Sequence, residues 1–252
     1  MSMNRLDDLH QRADALEEEM SRQLEALAVK SVIYVSGEID PVKERPVAAN
    51  PAGRPYLMGP DPRLSTMPAR PTLIDFFRCR FGPSAHLLQS ARLALRAGHD
   101  EKIVLACLLH DISVIGFIRA DHGYWGAQLI EPYVDPEVAW AVRQHQALRF
   151  YPDESVGYEY PEAYLRMLGA DYRPDPHIDR AYQAARAHRW YMSARLVTMN
   201  DLYAFDADVI VDIEDFTDLI GRNFRQPAEG LGFDDSPSAH MWRTIMMPTR
   251  FL

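Results

Sequence analysis

The residues that could do chemistry in this 252-residue chain are four histidines and two aspartates: His86, the adjacent pair His110-Asp111, His122, His145 and Asp201. Imidazole nitrogen and carboxylate oxygen are the donors that metals of intermediate hardness accept. His86 precedes the pair by 24 residues, and His145 follows His122 by 23. The pair ends the apolar run KIVLACLLHDI, so both side chains are expected inside the protein. A buried aspartate or histidine is costly unless it is paired, hydrogen-bonded or bound to a metal. Taken singly, each histidine could be a hydrogen-bonded core residue and Asp201 a helix cap. Together the six are enough for two metal ions, with His110 on one ion and the Asp111 carboxylate between both.

The elements that must position these residues read as helices. TLIDFFRCRFG is a short one ended by Gly82, and SAHLLQSARLALRAG a second, with Ser84 as N-cap and Gly98 as C-cap. On it His86 shares a face with Leu87, Leu88, Ala91 and Leu95. HDEKIVLACLLHDI is a third, and DHGYWGAQLIEPYV, starting at Asp121, a fourth. DPEVAWAVRQHQALRFY is a fifth, capped by Asp135 with Pro136 at its first position; His145 follows its stripe of Val138, Ala141 and Val142. PEAYLRMLGA and the long stretch from Asp175 to Asp206, one helix or two, complete the series. Strand signals are weak and there is no strand-Gly-helix nucleotide motif, so the class is all-α.

Two flanking regions differ. Residues 3–30 form an amphipathic pattern with Leu6, Leu9, Leu16, Leu24 and Leu27 on one stripe. Docking on the body is favoured, and a homodimer contact through this helix is the alternative. Residues 31–72 start with SVIYVSG, a short strand candidate, and then hold eight prolines from Pro41 to Pro71. This proline density favours an extended segment over 41–71 that is either a lid or a structural strap. The organisation expected is an N-terminal extension over 1–71, a helical domain over 72–206, and a tail over 207–252 that packs on it or covers the site mouth. The acidic run FDADVIVDIEDF lacks EF-hand spacing and reads as a helix boundary rather than a calcium site.

Composition narrows the partners. The net charge of −9 argues against a nucleic-acid surface and against anionic membranes. No apolar run is long enough to span a bilayer, and the polar N-terminus lacks a signal-peptide core. Two cysteines, Cys79 and Cys107, read as unpaired thiols. The expectation is a cytoplasmic protein with a small-molecule substrate.

The order His86, His110-Asp111, His122, His145, Asp201 resembles the HD-domain superfamily, a helical bundle around one or two metals. AHLLQSARLALRAGHDEKIVLACLLHDI resembles its core. The two additional histidines resemble the dinuclear members, and the segment from Asp121 to Tyr151 resembles the mixed-valent diiron oxygenase branch, which includes myo-inositol oxygenase and a phosphonate-cleaving enzyme. The DLY at Asp201–Tyr203 is similar to the inositol enzyme's last ligand region. The resemblance spans about residues 72–206 and implies two iron ions, Fe(II)/Fe(III), with Mn, Co or Zn as alternatives. It implies that His86, His110, Asp111 and Asp201 bind one iron. Asp111 bridges to the second, which His122 and His145 complete, so His110 and Asp111 stand at the catalytic centre. Substrate and dioxygen meet there, and C–C or C–P cleavage or hydroxylation follows.

Departures leave the substrate open. Ser113 stands where many relatives place glycine, and Thr198 offers no positive charge three residues before Asp201. Arg149, four residues after His145, resembles a basic residue that grips an anionic or polyol substrate; the alternative is a solvent-facing helix residue. Tyr124 and Trp125 beside His122 line a pocket or fill the core. His10, His99, His177, His188 and His240 lack a buried, patterned setting. The leading function is therefore a diiron oxygenase of a small hydroxylated or amino substrate. A metal-dependent phosphohydrolase of nucleotides or phosphomonoesters, with Arg119 and Arg149 as its cations, is the alternative. A non-catalytic helical scaffold is a third reading, disfavoured because no ligand is missing.

Overall fold

A computed structural model describes residues 64–247, apart from Pro83, residues 117–120, Tyr203, Phe205 and Ala207. The N-terminal amphipathic helix, the strand candidate, most of the proline-rich segment and Arg119 lie outside the described residues. Among the described residues eleven α-helices follow one another: α1 (Leu73–Cys79), α2 (Ala85–Arg96), α3 (Glu101–Leu109), α4 (Ile112–Gly116), α5 (His122–Ile130), α6 (Pro136–Leu148), α7 (Glu162–Leu168), α8 (Pro176–Arg186), α9 (Tyr191–Leu202), α10 (Thr217–Asn223) and α11 (Ala239–Met246). Among the described residues no strand forms, and no helix is long and apolar enough to cross a membrane.

The helix ends follow local chemistry. The Asp135 side chain accepts from the Glu137 N–H while Pro136 fills a position whose N–H would be unsatisfied anyway. Helix α2 ends in a Schellman turn: Gly98 adopts φ 74°, its N–H donates to Leu95 O, and the His99 N–H donates to Ala94 O. Ser84 makes no side-chain cap bond, contrary to its expected role. Helix α1 stops at Cys79 rather than Gly82, and the stretch 175–206 divides into α8 and α9.

Helix α3 is the axis of the bundle. All seven residues from Ile103 to Leu109 are buried, because α2, α6, α9 and α10 surround it. A helix apolar all round is stable only when enclosed in this way. Helix α6 packs against α3, α5, α8 and α9. Leu95, expected on the buried face of α2, is 48 % exposed; Leu87, Leu88 and Ala91 hold that face.

Residues 208–247 pack on the bundle. Val211, Ile213 and Phe216 of the acidic run are buried, so this stretch is an apolar strap with acidic residues between. Trp242 is fully buried, edge-on to Phe76 at 4.7 Å, and its indole N–H donates to Leu129 O. The tail thus docks on the body. Gly230, at φ 92°, lies where a Cβ would come within 2.6 Å of Arg70 Cα, and the neighbouring Leu231 N–H donates to Pro71 O.

Candidate metal centre

Every donor stands at or near a helix end. His86 is in the first turn of α2, His122 begins α5, His145 is in the last turn of α6, and Asp201 is near the end of α9. His110 and Asp111 occupy the turn between α3 and α4. A continuous helix through Ile112 was expected there. Neighbouring side chains on a regular helix diverge by about 100°. The interruption lets two consecutive side chains face the same buried cluster.

The donors converge in two groups. In the first, His86 Nε2 lies 2.9 Å from Asp201 Oδ1 and 3.1 Å from His110 Nε2, and His110 Nε2 is 3.5 Å from Asp201 Oδ1. In the second, His122 Nε2 and His145 Nε2 are 3.2 Å apart. Asp111 faces both. Its Oδ2 is 3.7 Å from His86 Nε2 and 3.6 Å from His110 Nε2. Its Oδ1 is 3.2 Å from His122 Nε2 and 3.5 Å from His145 Nε2. All six residues are buried.

The rings are held from behind. His110 Nδ1 is 2.7 Å from Cys107 O, His145 Nδ1 is 2.6 Å from Val142 O, and His86 Nδ1 is 3.3 Å from Ala204 O. A carbonyl can only accept, so each Nδ1 carries a proton and each Nε2 is turned inward, where it can take a proton or a metal cation. Without a proton or metal cation between them, the Nε2 atoms of His86 and His110 would meet lone pair to lone pair at 3.1 Å beside the Asp201 carboxylate. Asp111 Oδ1 and Asp201 Oδ1 are buried without a hydrogen-bond donor. Such an arrangement is costly unless a cation takes the lone pairs. The donor chemistry therefore fits a metal ion at His86, His110 and Asp201 and another at Asp111 and His145, where His110 and His122 also approach.

Protons do part of this work in the protein alone. Burial opposes charging of His110, but Asp111 and Asp201 outweigh it and lift its pKa to about 9. Burial drives His122 down to about 4 and also lowers His145. Burial opposes ionisation of Asp111 and Asp201 as well. Neighbouring His110 and His122 hold Asp111 well below the usual carboxylate range, and Arg149 and His110 do the same for Asp201.

Arg149 turns inward. Its Nε is 3.3 Å from Asp201 Oδ2, its side chain is only 19 % exposed, and its guanidinium lies over the Tyr164 ring at 5.2 Å. The solvent-facing alternative is thus overturned. Tyr124 is 42 % exposed, with Trp125 edge-on to it and Arg143 over its ring. The structure places it on the outside of α5 and does not bring it to the donors. His188 stacks on Trp140, and His177 is exposed near Asp121.

Sequence reading missed Arg195. This fully buried cation donates to Leu148 O and Tyr151 O at the end of α6, and the Thr198 hydroxyl is 3.3 Å from His145 O. The available signal was an arginine inside the apolar stretch ARLV.

A comparison of the sequence with curated proteins gave no match. A family model described as the HD domain matches residues 84–209, half of the chain, and this span contains all six donors. With the helical bundle and the buried His/Asp centre already in view, the match settles the classification: the chain belongs to the HD-domain family.

Proposed function

We propose that this protein is a non-heme diiron oxygenase that uses dioxygen to oxidise or cleave a small polar substrate. The substrate carries a hydroxyl or amino group next to the C–C or C–P bond concerned. HD-domain membership implies a metal-dependent enzyme. The observation that supports the dinuclear form is the division of the Asp111 carboxylate, one oxygen toward each histidine pair.

The two groups are unequal. His86, His110, Asp201 and Asp111 Oδ2 offer four donors to the first, whereas His122, His145 and Asp111 Oδ1 offer three to the second. Fewer protein donors leave more positions for exogenous ligands, the arrangement that separates catalytic from structural sites. When bound, two irons would supply Lewis acidity toward a substrate hydroxyl and the electrons for oxygen chemistry. The chain's own part is orientation and exclusion. Backbone carbonyls fix three rings, burial removes bulk water, and Arg149 holds Asp201 while placing positive charge where an anionic group would be drawn.

Arg149 also favours a second reading, a phosphohydrolase in which it neutralises phosphate. Electron paramagnetic resonance of iron-loaded, partly reduced protein separates the two. A coupled Fe(II)/Fe(III) signal that changes on adding hydroxylated phosphonates or polyols, with oxygen uptake, is expected. No coupled signal, together with phosphate release from a nucleotide panel in Mn or Co, would replace the oxygenase by the hydrolase.

A further inference from the structure

We infer that Gly123 is a positioning residue that keeps the second histidine pair competent for metal, an inference that rests on the two-group reading of the site. Gly123 follows His122 directly, and α5 packs along α6 at this point. A Cβ on Gly123 would lie 2.9 Å from Arg143 O and 3.0 Å from Val142 O. Both are backbone atoms of α6, so neither can swing aside as a flexible side chain would. The Gly123 N–H also donates to the Gln146 side chain at 3.3 Å, beside His145.

Val142 O has a second task. It accepts the Nδ1–H of His145 at 2.6 Å and so directs His145 Nε2 toward Asp111 and His122. The same carbonyl thus limits the approach of α5 and aims the His145 ring. Adding one methyl at Gly123 would push α5, with His122 at its start, away from α6 and disturb the carbonyl behind His145. Both donors of the second group would move. His86, His110 and Asp201 depend on α2, the α3–α4 turn and α9, and they would stay.

Gly126 is the internal control. It lies on the same helix one turn later, yet a Cβ there would meet Ile112 Cγ2 at 3.4 Å, Val142 Cγ1 at 3.5 Å and His110 O at 3.7 Å, ordinary van der Waals contacts. In a helix, Gly→Ala is otherwise favourable. Gly126→Ala should therefore be tolerated where Gly123→Ala is not.

The test uses the full chain with 15N-labelled histidine. In metal-free protein, imidazole NMR should show His145 as the Nδ1-protonated tautomer in wild type and Gly126→Ala. In Gly123→Ala this signal should shift together with that of His122, while His86 and His110 keep theirs. Zn(II) titration should then give two ions per chain in wild type and Gly126→Ala, and one in Gly123→Ala. Unchanged His145 and His122 signals in Gly123→Ala, equal disturbance of all four histidines, or the same behaviour in Gly126→Ala would each overturn the inference. Uptake of a single zinc by wild type would refute the two-group reading itself, while the metal-free NMR comparison still decides the role of Gly123.

Discussion

Stability of the metal-free protein should pass through a maximum near pH 6.5, and metal should remove the alkaline side of that maximum. His110 has a folded pKa of about 9 against an ordinary value near 6.5. A raised histidine contributes stability in full below its unfolded pKa and loses it as pH rises through the folded value. A gap of roughly 2.5 units corresponds to about 3 kcal/mol, lost between about pH 6.5 and 9. His122 acts in the opposite sense. Its folded pKa of about 4 lies below the unfolded value, so its stability is present above about pH 6.5 and lost as pH falls toward 4. That limb is also worth about 3 kcal/mol, and the lowered His145 adds to it. Asp111 and Asp201, held well below the carboxylate range, extend the loss below their ordinary values. The assay is urea unfolding of metal-free and Zn-loaded protein between pH 5 and 9. With metal bound, the His110 Nε2 lone pair faces a cation instead of holding a proton, so the fall from pH 6.5 to 9 should vanish. Protons compete with metal for imidazole, so the acid limb should remain. An alkaline limb of equal size in both forms would refute the metal contact at His110, and no such limb in the metal-free form would refute the assigned proton.

Two further outcomes follow from the same centre. Verified metal removal should lower thermal stability, since a ligand that binds only the folded state at a hundred- to thousand-fold excess over its Kd contributes about 3–4 kcal/mol. For a chain of this size that is a melting shift on the order of 10 °C, and an unchanged melting temperature would contradict it. Arg149→Met should destabilise metal-free protein by about 3 kcal/mol, the cost of stranding a buried carboxylate whose partner is removed. The loss should be smaller with Zn(II) bound, because the metal compensates Asp201. Equal losses with and without zinc would show that the Arg149–Asp201 contact and the metal do not share that carboxylate.

Much of the bundle was legible because its signals are local. The unbroken apolar run of α3 required enclosure, and Asp135-Pro136 marked the start of α6. The six candidate residues could be picked out because each is a polar group set against an apolar pattern, and all six are buried. The interruption at His110-Asp111 was not legible. The residues on either side, Leu109 and Ile112, continue the apolar pattern, and only the surrounding helices decide that the turn faces inward. Arg149 was undecidable for a related reason. An arginine after a helix end can point either way, and its direction is set by Asp201, distant in sequence. Tyr124 stands two residues after His122, about 200° round the helix, and lies on the exposed side of α5, a direction that adjacency in the chain does not reveal.

The two donor groups are also tied mechanically. Helix α6 presents His145 in its last turn, where the carbonyls have no partners within the helix. Arg195 of α9 donates to one of them, Leu148 O, and to Tyr151 O just beyond the helix, placing its charge at the negative end of the α6 dipole. A buried cation is tolerable only when satisfied. Arg195 is, through those two carbonyls, the Tyr191 hydroxyl at 3.2 Å and the Asp153 carboxylate at 3.7 Å, with the Tyr158 ring 4.7 Å below the guanidinium. The Thr198 hydroxyl touches the backbone of His145 one turn further along α9, and Asp201 follows within another turn. One face of α9 thus supports a donor of the second group and ends in a donor of the first. The Arg149–Asp201 contact closes the loop between the same two helices. Movement of α9 relative to α6 would therefore disturb both groups at once, whereas crowding at Gly123 would disturb only the second.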